Sequence, residues 1–280
     1  MRTQQEMPFD HSGSSLDSFV EEEGILDEVE ASAIKRVSDW QAEKVAVEGR
    51  LRNRSDEVLK SVPRTARRGI LMQVTSQDVL VVIDVQNDFC PGGALAIAGG
   101  DLVIDVIHRV APKFEHIVLT QDWHPAGHSS FATAHPGKQP FEQIELSYGM
   151  QTLWPDHCIQ GSKGAEFHPA LHLPQAEIIL RKGFSPHIDS YSAFFENDRV
   201  TSTGLGDYLR DQGLTRVFLA GLAYDYCVGY SALDARRLGL SAIILRDACR
   251  AIDLDGSVAK IEAEFAKSRV ALIDSAALLG

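Results

Sequence analysis

The sequence has few cysteines, a shortage of positive charge and no long apolar run, and each scarcity excludes a class of protein. Its 280 residues include four cysteines with no CxxC pair, which argues against a disulfide framework and favours a reducing compartment. The 27 Lys and Arg residues face 39 Asp and Glu residues, a net charge of −12. Nucleic acid and anionic membranes bind basic faces, so neither is expected as a partner.

Two further absences bear on where the protein resides. No apolar run approaches the ~20 residues of a membrane span. The first residues, MRTQQEMPFDHSG, lack the apolar core of a signal peptide. We therefore expect a soluble, cytoplasmic protein. The sequence leaves its oligomeric state open, a homo-oligomer included.

The chain changes character near residue 72. Before it, charges of both signs are dense, and an apolar stripe of helical spacing runs from Leu26 to Trp40. A polar, basic stretch with a breaking Pro63 follows and is typical of a linker. We therefore predict an N-terminal extension over 1–71, helical and then linker, of unknown role. The predicted catalytic domain covers 72–280, and Met72 is a plausible native start.

From residue 78 onward, apolar runs alternate with helical segments. The runs predict strands at 79–85, 116–122, 177–183, 216–221, 241–247 and 269–274. Continuous apolar strands separated by helices indicate a parallel sheet that is covered on both faces. The predicted fold is therefore α/β, a three-layer α/β/α arrangement around a mostly parallel sheet of about six strands.

Polar residues collect where these strands end, which is where open parallel sheets bind ligands. Cys227 follows the fourth strand and lies at the predicted first turn of a helix. Free N–H groups and the helix dipole at that position favour the thiolate, which is the nucleophilic form. The alternative is that Cys227 is a small buried apolar residue.

Asp122 and His124 lie two residues apart at the end of the second strand, so their side chains share one side of an extended segment. His157, held by the stiff Trp-Pro that precedes it, offers a third ligand. Two imidazoles and one carboxylate leave positions open for water or substrate, as catalytic metal sites do. The alternative is a surface turn with a packed histidine.

Asp84 is an acid inside an otherwise apolar strand, and an unpaired buried charge there is costly. Lys182, at the end of a parallel strand, is a candidate partner. The two form either a structural ion pair or part of a catalytic group with Cys227. In a catalytic group, the acid takes the thiol proton and later passes it to a leaving amine.

Five motifs in order give the chain a family resemblance over about 77–280. They are DVQNDFCPGGAL, TQDWHPAGHSSF, WPDHCIQGSKGAEFHP, RKG with YSAF following, and GLAYDYCV. Together they resemble the nicotinamidases (pyrazinamidases) of the isochorismatase-like cysteine hydrolase family. The resemblance implies a Rossmann-like, isochorismatase-like fold.

The resemblance also implies a role for each matching residue. It implies a catalytic triad of Asp84, Lys182 and Cys227, and an oxyanion hole formed by the amides of Ala223 and Cys227 after a cis peptide at Leu222–Ala223. It implies metal ligands Asp122, His124 and His157, and a ring-binding set of Phe89, Trp154 and Tyr191. Tyr224 departs from the family, in which many members carry Thr, and we expect it to alter the pocket edge.

The activity that the resemblance implies is hydrolysis of nicotinamide to nicotinate and ammonia, which serves NAD salvage and pyridine nucleotide biosynthesis. The cofactor is one divalent metal ion, zinc first, with iron or manganese also suited; pyrazinamide is the expected second substrate. One alternative is a related cysteine amidase for another small amide or a carbamoyl or ureido compound. A more distant one is a non-catalytic metal-binding regulatory module.

Overall fold

The computed structural model describes residues 72–279. The predicted extension over 1–71 lies outside the described residues, so its division from the catalytic domain stays a prediction. Among residues 72–279 no helix combines the length and the apolar character that crossing a membrane requires.

A six-stranded, all-parallel sheet forms the centre of the described chain, in the order β5-β2-β1-β6-β7-β8. Its strands are β1 (Asp78–Ile83), β2 (His116–Asp122), β5 (Ile178–Lys182), β6 (Arg216–Leu222), β7 (Ser241–Arg250) and β8 (Ala271–Ile273). Each predicted apolar run contains or overlaps one of them, so the predicted parallel sheet is confirmed. A small antiparallel pair, β3 (Gln143–Leu146) and β4 (Gly149–Thr152), lies between the predicted strands at 116–122 and 177–183.

Helices cover both faces of the sheet. They are α1 (Val103–Val110), α2 (Leu205–Asp211), α3 (Gly229–Arg237), α4 (Ser257–Ser268) and α5 (Ala276–Leu279). Short 3₁₀ turns occur at Asn87–Phe89, Gly100–Leu102, Ala111–Lys113, Ala132–Ala134 and Leu254–Gly256, and a π-helical turn spans Tyr224–Val228. The predicted three-layer α/β/α fold is confirmed.

Alternating side chains of the central strands divide the core into two layers. Leu80 and Val82 of β1 contribute to the layer that contains α1 and α5, whereas Val81 and Ile83 contribute to the layer that contains α2, α3 and α4. This alternation follows from the two-residue period of a strand. Burying each such side chain stabilises the fold by about 1.5–3 kcal/mol, so both layers contribute to holding the sheet together.

The strand order reverses direction at β1. The chain goes from β1 to β2 and β5 on one side, and then returns to place β6 on the other side of β1. A crevice opens at the carboxyl ends of strands where such a reversal occurs. Asp84 and the turn that carries Cys227 therefore flank this crevice.

Candidate active site

Four strand ends bring the polar residues predicted from sequence into one buried group. Asp84 follows β1, Asp122 ends β2, Lys182 ends β5, and Cys227 lies in the turn after β6. Each of the four side chains is at most 6% exposed. We call Asp84, Lys182 and Cys227 the thiol centre, because the lysine contacts both of the other side chains.

Lys182 has more polar neighbours than hydrogens to donate. Its Nζ lies 2.9 Å from Asp84 Oδ2, 2.7 Å from Asp122 Oδ1, 2.7 Å from the Ser190 carbonyl oxygen and 3.6 Å from Cys227 Sγ. An ammonium group carries three N–H donors. At least one of the four contacts is therefore a charge interaction without its own hydrogen bond. That contact is the one to Asp84 Oδ2, which accepts no hydrogen bond from the described residues.

Charge pairing keeps the lysine and Asp122 ionised in this dry environment. Burial lowers the pKa of Lys182, but the carboxylates of Asp122 and Asp84 raise it more, so it lies well above its ordinary value. Burial raises the pKa of Asp122, but Lys182 and His124 outweigh burial and hold it well below its ordinary value. The centre therefore contains a permanent cation.

The surroundings of the Cys227 thiol act on its pKa in the direction opposite to that expected from the helix terminus. Burial raises the pKa of Cys227 well above its ordinary value, and the Lys182 charge offsets this only in part. The helix-terminus argument predicted a favoured thiolate, but desolvation of a sulfur in a fully buried position is the larger effect. A base within reach must therefore remove the thiol proton.

Asp84 is the candidate for such a base. Burial is the main reason that the pKa of its carboxyl lies above the ordinary value. The Thr120 hydroxyl donates to Asp84 Oδ1 at 2.5 Å and accepts the Asp84 backbone N–H at 3.2 Å. One carboxylate oxygen of Asp84 lies within 4.8 Å of Cys227 Sγ. Oδ2 lies beside Lys182 and accepts no hydrogen bond from the described residues, so it has capacity to accept a proton.

The predicted metal ligands also converge, and we call Asp122, His124 and His157 the histidine centre. Their nearest ligand atoms all lie within 4.8 Å of one another. His124 Nε2 and His157 Nε2 lie 3.4 Å and 3.7 Å from Asp122 Oδ2. All three side chains are buried, so they form a compact donor set below the surface.

Backbone carbonyls determine which imidazole nitrogen faces this cluster. The Nδ1 of His124 contacts the Gly183 carbonyl oxygen at 2.8 Å, and the Nδ1 of His157 contacts the Pro155 carbonyl oxygen at 2.8 Å. A carbonyl only accepts hydrogen bonds, so each Nδ1 carries hydrogen and each Nε2 can present a lone pair. This arrangement is how ligand histidines are oriented in metal sites.

His124 Nε2 is buried and has no hydrogen-bond partner among the described residues. Burial lowers the pKa of His124, but the Asp122 carboxylate raises it more, so the site attracts a cation to this nitrogen. Gly183 makes room for the ring, because a Cβ at this position would lie 2.5 Å from His124 Cε1. The donor set and its orientation fit a divalent metal ion.

Asp122 belongs to both centres. Its Oδ1 accepts from Lys182, while its Oδ2 faces the two histidines. The Gln86 side chain holds the same residue from behind, since its Oε1 accepts the Asp122 N–H at 2.8 Å and its Nε2 donates to the Asp122 carbonyl at 2.8 Å. One carboxylate therefore joins the two halves of the site.

An aromatic pocket opens above the two centres. Phe89, Trp154 and Tyr191 line it, as the resemblance implies, and Cys227 and His157 also reach it. The Trp154 indole N–H donates to the Tyr191 hydroxyl at 3.3 Å, which fixes the two rings relative to each other. The walls of the pocket are therefore largely aromatic.

Tyr226 is a pocket residue that sequence reasoning missed. Its ring packs edge-on against Trp154 and Tyr191, with centroids 4.9 Å and 5.3 Å away. Tyr224, which we expected at the pocket edge, instead packs against Phe265 and donates to Glu262 Oε1 at 2.8 Å. The expectation for Tyr224 is wrong, because residues two apart in a helical turn point to different sides.

Asp189 and His128 are the other residues that the motifs did not single out. Asp189 is buried, with Oδ1 3.9 Å from His124 Nε2, and it accepts Gln151 Nε2 at 2.7 Å. The His128 ring lies 4.4 Å from that of His124, and both its nitrogens contact protein groups, Ser130 and the Ser185 and Ile188 carbonyls. His128 therefore packs behind the histidine centre rather than offering it a ligand.

The turn after β6 brings Cys227 to the pocket. The peptide bond between Leu222 and Ala223 is cis, as the resemblance implies. The Ala223 carbonyl accepts the N–H groups of Tyr226 and Val228, at 3.1 Å and 3.0 Å, which closes the π-helical turn. Ala223 and Cys227 both line the pocket, so their backbones border the same space.

Comparison with known proteins identifies the family. The family model described as Isochorismatase domain matches residues 78–276. This chain belongs to the isochorismatase family. The family expected from the five motifs is thereby confirmed.

Three individual proteins show which members of the family this chain resembles. A nicotinamidase of Acinetobacter baylyi is 51% identical over 208 residues, which cover 74% of this chain and 97% of that protein. An L. infantum protein solved in complex with nicotinate is 41% identical, with a TM-score of 0.65, and covers 74% of this chain and 97% of its own. Pyrazinamidase of Pyrococcus horikoshii, solved with zinc, is 32% identical with a TM-score of 0.56, over 71% and 99%.

Proposed function

We propose that this chain hydrolyses nicotinamide to nicotinate and ammonia, with Cys227 as the nucleophile. The observation that carries the proposal is a buried thiol 3.6 Å from a lysine ammonium that also contacts Asp84 at 2.9 Å. These groups lie beneath a pocket of aromatic rings. The nicotinamidase of A. baylyi, 51% identical to this chain, supports nicotinamide as the substrate.

Asp84 begins the reaction by accepting the proton of the Cys227 thiol. The sulfur then forms a bond to the carboxamide carbon, and the π electron pair of the carbonyl moves to its oxygen. When this oxyanion collapses, the C–N bond breaks, and Asp84 returns its proton to the departing nitrogen to release ammonia. General acid–base assistance of this kind contributes about 10²–10⁴-fold in rate.

A second cycle of the same groups releases the acid. Water attacks the thioester carbon while Asp84 accepts one of its protons. The C–S bond breaks, and the thiolate recovers a proton from Asp84. Lys182 keeps its charge throughout and stabilises both the thiolate and the carboxylate, which explains why the site contains a buried, permanently charged lysine.

The backbone N–H groups of Ala223 and Cys227 are proposed to stabilise the oxyanion. Both residues border the pocket where the carboxamide must lie. Such donors are worth about 3 kcal/mol each when they point at the developing charge. The rigid turn after β6 keeps them in place without any rearrangement during the reaction.

Asp122, His124 and His157 are proposed to hold one divalent metal ion. Zinc fits this donor set, as do iron and manganese; the P. horikoshii pyrazinamidase was solved with zinc. When bound, the ion supplies a Lewis acid for the ring nitrogen of the substrate. Phe89, Trp154 and Tyr191 enclose the flat ring from the sides, and pyrazinamide, with a ring of the same shape, is the proposed second substrate.

The decisive experiment measures ammonia release by the full-length protein with a panel of amides. Nicotinamide and pyrazinamide should be turned over, whereas benzamide, which lacks the ring nitrogen, should be much poorer. N-carbamoyl and ureido compounds should give no ammonia. Faster release from a carbamoyl or ureido compound than from nicotinamide would instead favour the related amidase activity.

Removing the metal tests the second half of the proposal. Dialysis against a chelator should abolish ammonia release, and one equivalent of zinc, iron or manganese should restore it. Elemental analysis should find about one ion per chain before dialysis, as three ligands around one position imply. Full activity in a chelated, metal-free sample would remove the histidine centre from the reaction.

A further inference from the structure

Asp225 is a buried acid next to the proposed nucleophile that the reaction does not use. Its side chain is 2% exposed, and it has no cationic partner within 4.0 Å among residues 72–279. A buried carboxylate without a counter-ion needs several hydrogen-bond donors to offset its desolvation. The groups that donate hydrogen bonds to Asp225 show which segment of the chain it stabilises.

All three donors come from one segment, the 251–257 loop that leads from β7 into α4. Oδ1 accepts the Ile252 N–H at 3.0 Å, and Oδ2 accepts the Asp253 N–H at 2.7 Å and the Ser257 hydroxyl at 2.5 Å. Ser257 is the first residue of α4. Asp225 therefore binds the N-terminus of α4 and the loop before it. The positive end of the helix dipole favours the negative charge of its carboxylate.

Two residues of the loop adopt backbone angles that cost free energy. Asp253 and Asp255 both adopt left-handed backbone angles, with φ of 56° and 50°, a conformation that costs non-glycine residues free energy and persists only when neighbours support it. No side chain caps the N-terminus of α4 from its own N-cap position. The support comes from Asp225, across 27 to 32 residues of sequence.

The loop in turn supplies a wall of the substrate pocket. Ile252 lines the pocket together with Phe89, Trp154 and Cys227 and packs against the core layer of α1. Asp225 and Cys227 belong to the same π-helical turn. The turn that carries the proposed nucleophile and the pocket wall formed by Ile252 are thus connected through one carboxylate.

We propose that Asp225 is a positioning residue that holds the 251–257 loop, and through Ile252 the substrate ring, at a set distance from Cys227. This inference rests on the proposed function of the same pocket. It predicts that Asp225 acts on substrate binding through Ile252, and that it takes no part in proton transfer.

The test is Asp225→Asn in the full-length protein. An amide has one acceptor oxygen, so its NH₂ must face a backbone N–H that the carboxylate accepts. We expect KM for nicotinamide to rise about tenfold, with kcat within about threefold, as for loss of a charged hydrogen bond that positions substrate. Asp255→Asn is the matched control, because it removes the same charge from the same loop where the side chain is exposed; it should leave KM unchanged.

A double-mutant cycle separates positioning from a general effect. If Asp225 acts through Ile252, Asp225→Asn should change KM little in an Ile252→Ala background, because coupled residues are not additive. Additive effects on KM, or a loss confined to kcat, would overturn the proposal. Should Asp225→Asn fail to fold, Ser257→Ala removes only the hydroxyl donor and should raise KM about two- to threefold.

Amide hydrogen exchange tests, without any substrate, whether Asp225 holds the 251–257 loop in place. The amides of 251–257 should exchange faster in Asp225→Asn than in the parent protein, and Asp255→Asn should not share this change. If the 251–257 amides of Asp225→Asn exchange as slowly as those of the parent protein, Asp225 does not hold the loop. If they exchange faster but KM is unchanged, Asp225 holds the loop without positioning the substrate. A parent protein that exchanges as expected but releases no ammonia from nicotinamide would refute the proposed function alone.

Discussion

The thiol centre and the histidine centre lie side by side, yet they differ in what the protein supplies. In the thiol centre, each charge has a protein partner, since Lys182 contacts both Asp84 and Asp122. In the histidine centre, two imidazole nitrogens face one carboxylate oxygen, and that of His124 has no hydrogen-bond partner among the described residues. In the first centre Asp84 Oδ2 also accepts no hydrogen bond from the described residues, but the Lys182 charge lies beside it. The second centre has no cation of its own and is arranged to receive one.

Asp122 links the two centres, because one of its carboxylate oxygens contacts Lys182 and the other faces the two histidines. A change at this residue should damage both halves, whereas a change at His157 should damage one. Substitutions can therefore separate the two centres and measure the connection between them.

The largest expected effect comes from removing the sulfur of the thiol centre. Cys227→Ala should lower ammonia release from nicotinamide by more than about a thousandfold, as expected for loss of a nucleophile. Its metal content should stay at that of the parent protein, because the ligands come from other strand ends. Cys249→Ala, which removes another buried thiol, is the control and should keep its activity. Residual turnover of a tenth in Cys227→Ala would exclude covalent catalysis.

The next effect tests the shared carboxylate by comparing Asp122→Asn with His157→Ala. Both should lose the metal ion and about 10²-fold or more of activity, as ligand loss implies. Only Asp122→Asn should alter the thiol, because the Asp122 charge raises the pKa of Cys227. Its removal lowers that pKa, so alkylation by iodoacetamide at pH 8 should be faster in chelated Asp122→Asn than in chelated His157→Ala. Equal alkylation rates would show that the centres are independent.

A smaller effect is expected from the residue that makes room for His124. Gly183→Ala introduces a Cβ 2.5 Å from the His124 ring at a φ of +65°. Metal affinity should fall about 10- to 100-fold, since ring orientation controls it. Gly213→Ala has a similar φ of +70° but open space around the Cβ, so it should share the backbone strain without affecting the metal. Equal metal affinities in the two variants would contradict the steric argument.

The smallest effect should come from an ion pair at the opposite end of the sheet. Burial raises the pKa of Asp78, but the hydrogen bonds and charge of Arg216 outweigh it, so the pKa lies below its ordinary value. A lowered folded-state pKa stabilises the protein above the unfolded value near 4 and ceases to do so as pH falls through the folded value. Asp78→Asn should lower the free energy of unfolding by about 2 kcal/mol at pH 7.

Two measurements check this last prediction. In urea unfolding, the difference between Asp78→Asn and the parent protein should shrink as pH falls below about 4. Turnover per folded, metal-loaded molecule should stay unchanged at pH 7. A loss of turnover would mean that effects on the site spread through the sheet, and that the two centres cannot be compared by single substitutions.

Much of this arrangement could be predicted from the sequence, because its signals are local. The apolar runs have the length and composition of buried strands, and Asp84, Asp122 and Lys182 follow or end three of them. In a parallel sheet the ends of strands meet, so residues 98 positions apart, Asp84 and Lys182, could be paired in advance. The predicted group of strand-end residues depends only on this rule.

Other features depend on contacts that the local pattern does not encode. Asp189 and His128 reach the histidine centre from the irregular segments after β2 and β5, where no periodicity defines a direction. Tyr224 and Tyr226 could not be assigned to their sides, because the turn is π-helical rather than α-helical. The raised pKa of Cys227 was not expected, because burial is a property of the folded chain, whereas the helix-terminus argument uses only local geometry.

The burial of Lys182 also makes it a reporter of how the sheet opens. Its side chain is 0% exposed, yet it ends β5, which is an edge strand of the sheet. Amine-reactive reagents require a free, neutral amine, so the folded chain should protect this lysine while its exposed lysines are modified. The rate at which Lys182 becomes labelled then measures how often the β5 edge detaches, in the same way that amide exchange measures local opening. Lys182, which stabilises charge in the site, thereby also reports how often β5 separates from the rest of the sheet.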